Sequence, residues 1–379
     1  MTAVTILDEP ELLTLGESVK DVLVSECDSL AVHAWLDRKN DLGPSVWRQA
    51  CELGWLGLAL PEADGGLGLG ARGLALLSRE LGASAAPGPF IATLCMAQWI
   101  ARLGNAQLRA DLLGPMLSGE ASFAVPAALE AVAPLELAGG EGGSVSGTMD
   151  VLGSSDASFV AVPVAARGSA GASAFAVLRV DGDKAKLEPV EIWDLTRDIC
   201  RLECRDAPVV ALIDNADGSA GVLLGSLLAV AIAADSLGGA SGITLRTVDY
   251  MKEREQFNRP IATFQALRHR IADQVERVAT HESLLEQAVQ CLDGGSPDAA
   301  MWARLAKAGA SEVFAFVAAD CIQLHGGVGH TWEFDPHIYA KRARLNEALL
   351  APNTVLRDTA VELLDKALDE GRTTTELDA

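Results

Sequence analysis

Apolar positions recur at helical spacing through residues 11–36, 46–53, 71–81, 91–103 and 107–117, with short polar or glycine-rich breaks between them. From about residue 121 to 216 the pattern changes. Apolar runs become short and β-leaning, as in Ser122-Phe123-Ala124-Val125, Phe159-Val160-Ala161-Val162 and Ala174-Phe175-Ala176-Val177. Turn clusters such as Gly139-Gly140-Glu141-Gly142-Gly143 and Asp181-Gly182-Asp183 separate them, which predicts a small antiparallel barrel or sandwich. After Asp217-Gly218 helical spacing returns and runs to Lys366, interrupted at Gly294-Gly295-Ser296-Pro297. The polar tail 371–379 is expected to fray. No fixed-period repeat occurs. The pattern gives an α+β chain in three parts: an N-terminal α-helical domain (1–120), a middle antiparallel β domain (121–217) and a C-terminal helical domain (218–379).

One stretch of the last part carries more chemistry than the rest, Tyr250 through Gln265, YMKEREQFNRPIATFQ. Tyr250, Arg254 and Phe257 share a helical face at i, i+4 and i+7. The helix is predicted to break at Asn258-Arg259-Pro260, because proline has no N–H to continue the ladder, and to restart at Ile261. That leaves Arg254 and Gln256 near a helix end, and an arginine fork suits phosphate. These residues alone serve equally well as an Arg–Glu surface pair and a proline turn. The glycines of Gly65-Gly66-Leu67-Gly68-Leu69-Gly70 are expected to form a structural loop, since no Lys-Ser/Thr follows to make a P-loop.

Charge narrows the classes. The formal net charge of −22 argues against a broad nucleic-acid surface, so an anionic ligand needs a local basic patch. Hydrophobic residues make up 49 %, yet no uninterrupted apolar run reaches the roughly 18 residues of a membrane span. Residues 221–237 come nearest, and with Asp235 inside they are expected as a buried core helix. Seven cysteines lie scattered without a CxxC pair, which suggests reduced thiols, a cytoplasmic location and no metal site. The acidic start MTAVTILDEPELL lacks the basic segment of a signal peptide.

Four motifs together resemble the acyl-CoA dehydrogenase family. They are LGWLGLALPEADGGLGLG (53–70), Ser146-Gly147-Thr148, REQFNRPIATFQALRHRIAD (254–273), and Gln323 with Gly326, Gly327 and Gly329 in a QxxGGxG turn. The resemblance covers nearly the whole chain and implies a four-helix bundle for the C-terminal domain. It further implies that FAD binds, its adenosine-pyrophosphate half held across a subunit interface. Arg254 would fork onto the pyrophosphate, Gln256 and Gln265 would add polar contacts, Phe257 an apolar wall, and Gln323, Gly326 and Gly327 a close backbone approach. Asn258 stands where the family usually has glycine and can adopt the same left-handed turn.

Two departures shape the expectation. The family's flavin-gripping TEP…GSD-like segment corresponds to residues 125–134, where no Ser, Thr or Asp occurs. Asp194, Thr196 and Arg197 stay polar but offer no obvious replacement. The family's carboxylate base falls at Leu350 or Ala351, which cannot accept a proton. Asp235 is a tentative substitute, expected more readily as a helix-lining acid paired with Ser236 or a cation, and Glu347 is a weaker one. His325 and His330 are expected to be structural. The resemblance therefore points to a subunit of an unlike pair of the bacterial steroid type, α2β2. The partner chain would bring the base, an acyl-CoA would be the substrate and an electron-transfer flavoprotein or similar carrier the acceptor. A complete homotetramer using Asp235, and a flavin-free scaffold, are the alternatives.

Overall fold

A computed structural model describes residues 10–130, 132–140, 142–169 and 171–372. The N-terminal region comprises α1 (Pro10–Glu26), α2 (Ser29–Leu36), α3 (Leu42–Glu52), α4 (Gly70–Ala83), α5 (Phe90–Leu103) and α6 (Ala106–Leu117). The run expected over 11–36 is two helices, because Asp28 caps α2 by accepting the amide of Ala31 at 2.7 Å. Between α3 and α4 the glycine loop is structural: a Cβ on Gly66 would lie 2.1 Å from the Leu60 carbonyl oxygen.

Seven strands follow: β1 (Phe123–Pro126), β2 (Leu135–Ala138), β3 (Ser144–Leu152), β4 (Phe159–Ala166), β5 (Ala174–Arg179), β6 (Ala185–Pro189) and β7 (Ile199–Asp214). Their order is β1-β3-β2-β4-β5-β7-β6, and additional β1–β4 and β3–β7 pairings curl the sheet on itself. The pairing is antiparallel except that β4 runs parallel to both β1 and β2. Val145, Val151, Val160, Val162, Val164, Leu178, Cys200 and Leu202 fill the interior as a core of their own.

The C-terminal bundle consists of α7 (Ser219–Glu253), α8 (Gln265–Asp293), α9 (Ala299–His325), α10 (Pro336–Ala348) and α11 (Asn353–Asp369). At 35 residues α7 is long and apolar enough to cross a membrane, yet 83 % of its most apolar window is buried inside the protein. It is the central core helix. Its alanine- and glycine-rich sequence lets α4 approach backbone to backbone: a Cβ on Gly238 or Gly242 would lie 1.9 and 2.2 Å from the carbonyl oxygens of Arg79 and Ala83. This contact joins the N-terminal helices to the bundle.

Candidate functional site

The helix expected through Phe257 stops earlier. Helix α7 ends at Glu253, and residues 255–260 form a minimal hairpin in which Glu255 pairs with Pro260 and Gln256 with Arg259. At its tip Phe257 and Asn258 have φ of +54° and +62°, the two positive values that a tight hairpin of matching twist requires. Asparagine accepts that conformation readily, whereas a phenylalanine there is strained. Phe257 is also 87 % exposed. A short 3-10 turn, Ile261–Thr263, leads into α8, whose first residue is Gln265 and whose start no side chain caps.

The QxxGGxG turn ends α9 beside this hairpin. Tyr250 stacks on His325 with ring centroids 4.2 Å apart, and its hydroxyl donates to the His325 carbonyl at 3.3 Å. Met251, Ile261 and Leu324 close a small apolar cluster beneath, joined by Phe264, Leu267 and Ile271. His325 is thus structural, its Nδ1 lying 2.9 Å from the Cys321 carbonyl oxygen. The two motifs, distant in sequence, lie at one end of the bundle.

The residues at this edge fit the dinucleotide half of FAD. Arg254 is exposed, and its guanidinium has no ion pair or hydrogen bond among the described residues, so the Arg–Glu surface pair does not form. It is a charge without a partner in a chain of net charge −22. The uncapped start of α8 adds the positive end of a helix dipole. Gly326 ends α9 at φ +68°, a conformation that itself favours glycine, whereas a Cβ on Gly327 would meet nothing within 4 Å and leaves room for a ligand to approach. Gly329 is different, since a Cβ there would strike the Ile322 carbonyl at 2.5 Å. The Gln256 amide donates to the neighbouring Glu255 carbonyl at 2.8 Å, and Gln323 lies in an open groove of about 430 Å³ on α9, with Phe316, Asp320, Arg344 and Glu347.

Asp235 is not a free acid. Fully buried on α7, it takes Arg342 Nη2 at 2.5 Å and Nε at 3.2 Å, Arg197 Nη2 at 2.5 Å and the Asn346 amide at 2.8 Å. Burial by itself would raise its pKa, but the charges of Arg197 and Arg342, with hydrogen bonds from Arg342 and Asn346, outweigh that and hold it well below the usual carboxylate range. A base must have proton affinity near the working pH, so the tentative catalytic role is corrected to a structural one. The pairing is larger than Ser236 and one cation. Arg342 also donates to Thr196 Oγ1 and to the Ala86 carbonyl, and Thr196 donates to Asp194. This hub ties α7 and α10 to the β region and to the segment before α5. Sequence reading noticed Asp194, Thr196 and Arg197 but missed their role. The signal was there: a lone carboxylate in an apolar helix demands buried cations. Glu347 pairs instead with Arg344 at 2.6 Å on the surface.

The expected base positions are apolar in space as well as in sequence. Leu349, Leu350 and Ala351 are buried, and no metal-ligating cluster occurs among the described residues.

A helical start, a curled sheet and a helical bundle define an acyl-CoA dehydrogenase fold, and the chain belongs to the acyl-CoA dehydrogenase family. The family's N-terminal domain matches residues 9–120 and its C-terminal domain residues 227–363. Among individual relatives, the acyl-CoA dehydrogenase IpdE2 of Mycobacterium tuberculosis is 31 % identical over 345 residues, covering 90 % of this chain and 94 % of its own. Of solved structures, a variant of the Tcur3481-Tcur3483 steroid ACAD superposes with a TM-score of 0.85 at 29 % identity, covering 95 % of this chain and 99 % of the other. The ChsE4-ChsE5 complex from M. tuberculosis gives 0.80 at 26 %, covering 94 % and 97 %.

Proposed function

We propose that this chain is one subunit of a heteromeric acyl-CoA dehydrogenase that introduces an α,β double bond into an acyl-CoA thioester, steroid-derived by analogy with its relatives. In this reading it lends the dinucleotide-gripping edge to a cofactor whose ring lies against a partner chain, and the partner carries the base. The observation that carries it is the contrast between the two halves. Arg254 stands exposed and unpaired beside a glycine turn in which Gly327 leaves open space, while the base positions Leu350 and Ala351 are buried and apolar.

When bound, FAD supplies the hydride acceptor of the reaction. Arg254 would neutralise the pyrophosphate, helped by the α8 terminus and by Gln256 and Gln265. Phe257 would cover an apolar face, and Gln323 with Gly326 and Gly327 would provide polar and backbone contacts. Removal of the α-proton falls to the partner, because Asp235 is held ionised by two arginines. Electrons would leave to a carrier such as an electron-transfer flavoprotein, and a cytoplasmic location accords with this chemistry.

The test is co-expression with a second acyl-CoA dehydrogenase chain that retains the TEP…GSD segment and the carboxylate. The expected product is a yellow complex with about one flavin per unlike pair, while this chain alone is poorly active and nearly colourless. Stoichiometric FAD and turnover from the purified homomer would refute the reading. In the complex, Arg254→Ala should lower flavin content. Unchanged flavin and turnover would instead favour a flavin-free scaffold.

A further inference from the structure

Resting on the family reading above, a second set of contacts says what has become of the cofactor cleft this chain would otherwise own. In the family the flavin-gripping segment and the base-bearing turn each serve that cleft, and here they correspond to residues 125–134, from the end of β1 onward, and to the turn after α10. In this chain the two segments are hydrogen-bonded to each other. The Leu350 amide donates to the Ala127 carbonyl at 2.8 Å, and the Leu129 amide donates to the Leu350 carbonyl at 3.0 Å, making a parallel bridge between Ala128 and Leu350.

Side chains fasten the same junction. Glu130 accepts Arg304 Nε at 2.5 Å and the Thr359 hydroxyl at 3.0 Å, with the side chains of Arg304 and Glu130 only 9 % and 14 % exposed. From beneath, the fully buried Lys307 donates to the carbonyls of Glu347 and Ala351 and to Asn353 Oδ1 at 3.0–3.1 Å, fixing the turn that presents Leu350. Leu350 itself has φ of +69°, a conformation a branched side chain resists, yet it is 2 % exposed and held there by both of its backbone groups.

We propose that this chain's own flavin-ring cleft is latched shut by the Ala127–Leu350–Leu129 bridge and the Glu130–Arg304–Thr359 clamp. A pair of unlike chains then has one open cofactor position, walled by the partner's β domain. Lost catalytic groups and closure are separate facts. Restoring a carboxylate and hydroxyls to this chain would not restore a second site unless the latch were also opened.

Hydrogen exchange tests the latch without reference to activity. In the isolated chain and in the flavin-loaded complex alike, the Leu129 and Leu350 amides should exchange at least about a hundredfold more slowly than unstructured backbone. The double variant Glu130→Ala/Arg304→Met should speed both amides by about tenfold or more while leaving the flavin content of the complex unchanged. Exchange at unstructured rates in the isolated chain would overturn the latch, as would two flavins per unlike pair. The two proposals fail differently. A flavin-loaded complex with unprotected amides removes the latch and leaves the function. Protected amides in a co-expressed complex that never takes up flavin leave the latch and remove the function.

Discussion

Replacing Asp235 by asparagine separates the hub from a base with a single change of nearly equal volume. The new amide could still meet one donor, but Arg197 and Arg342, both essentially buried, would lose the carboxylate that compensates them. Removing one partner of a buried ion pair leaves an uncompensated charge and costs about 3–5 kcal/mol. At roughly 2 °C per kcal/mol for a chain of this size, the apparent melting temperature should fall on the order of 6–10 °C. Arg197→Met in the same background removes one of the stranded charges and should recover part of the loss, a coupling of about 0.5–3 kcal/mol. The effect should be flat from about pH 5 to 8. A carboxylate held below its unfolded pKa contributes its full stabilisation above the unfolded value near 3.9, and loses it only as pH falls through the lower folded value. Differential scanning fluorimetry of the three proteins, with turnover of the co-expressed complex, reads both quantities. A melting temperature within about 2 °C of the parent together with abolished turnover would refute the reasoning and restore Asp235 as the base.

Arg254→Ala removes an exposed charge without an internal partner, so the melting temperature of the isolated chain should move by less than about 1 °C while the complex loses flavin on gel filtration. Phe257→Gly relieves a non-glycine residue at φ +54° and should stabilise the isolated chain by up to about 1 kcal/mol in urea unfolding, again with weaker flavin retention in the complex. Burial pushes Lys307 down from 10.5 to about 7, against the opposing charges of Glu347, Glu130 and Glu312. The folded chain then binds fewer protons than the unfolded one between about pH 7 and 10.5, so this residue makes stability rise with pH across that window, by no more than about 5 kcal/mol. Lys307→Met should flatten that part of the melting-temperature profile.

What the sequence made legible follows from range. Helix and strand content came from local periodicity, and so did the break between α-helical and β regions, because 3.6- and 2-residue patterns are written in neighbouring positions. The hairpin at Phe257 was misread as helix for the same reason. Tyr250, Arg254 and Phe257 keep helical spacing, and the Ile261 amide that bonds the Arg254 carbonyl at 2.8 Å gives no local sign. The two motifs proposed for the dinucleotide were legible because each is contiguous in sequence, and the Tyr250–His325 stack joins them in space. The hub was half legible. A carboxylate amid Ala234 and Ser236 called for partners, but Arg197 and Arg342 lie 38 and 107 positions away and on different elements. The latch was not legible at all, since backbone hydrogen bonds between Ala127, Leu129 and Leu350 are indifferent to side-chain identity. That same indifference explains how such a closure could arise. With no hydroxyl in residues 125–134 and no carboxylate at 350–351, Glu130 is the one polar side chain in either stretch, and its pairing with Arg304 and Thr359 does not oppose the two segments meeting. The buried amides then find their partners in each other, and Glu130 with Arg304 makes the junction specific.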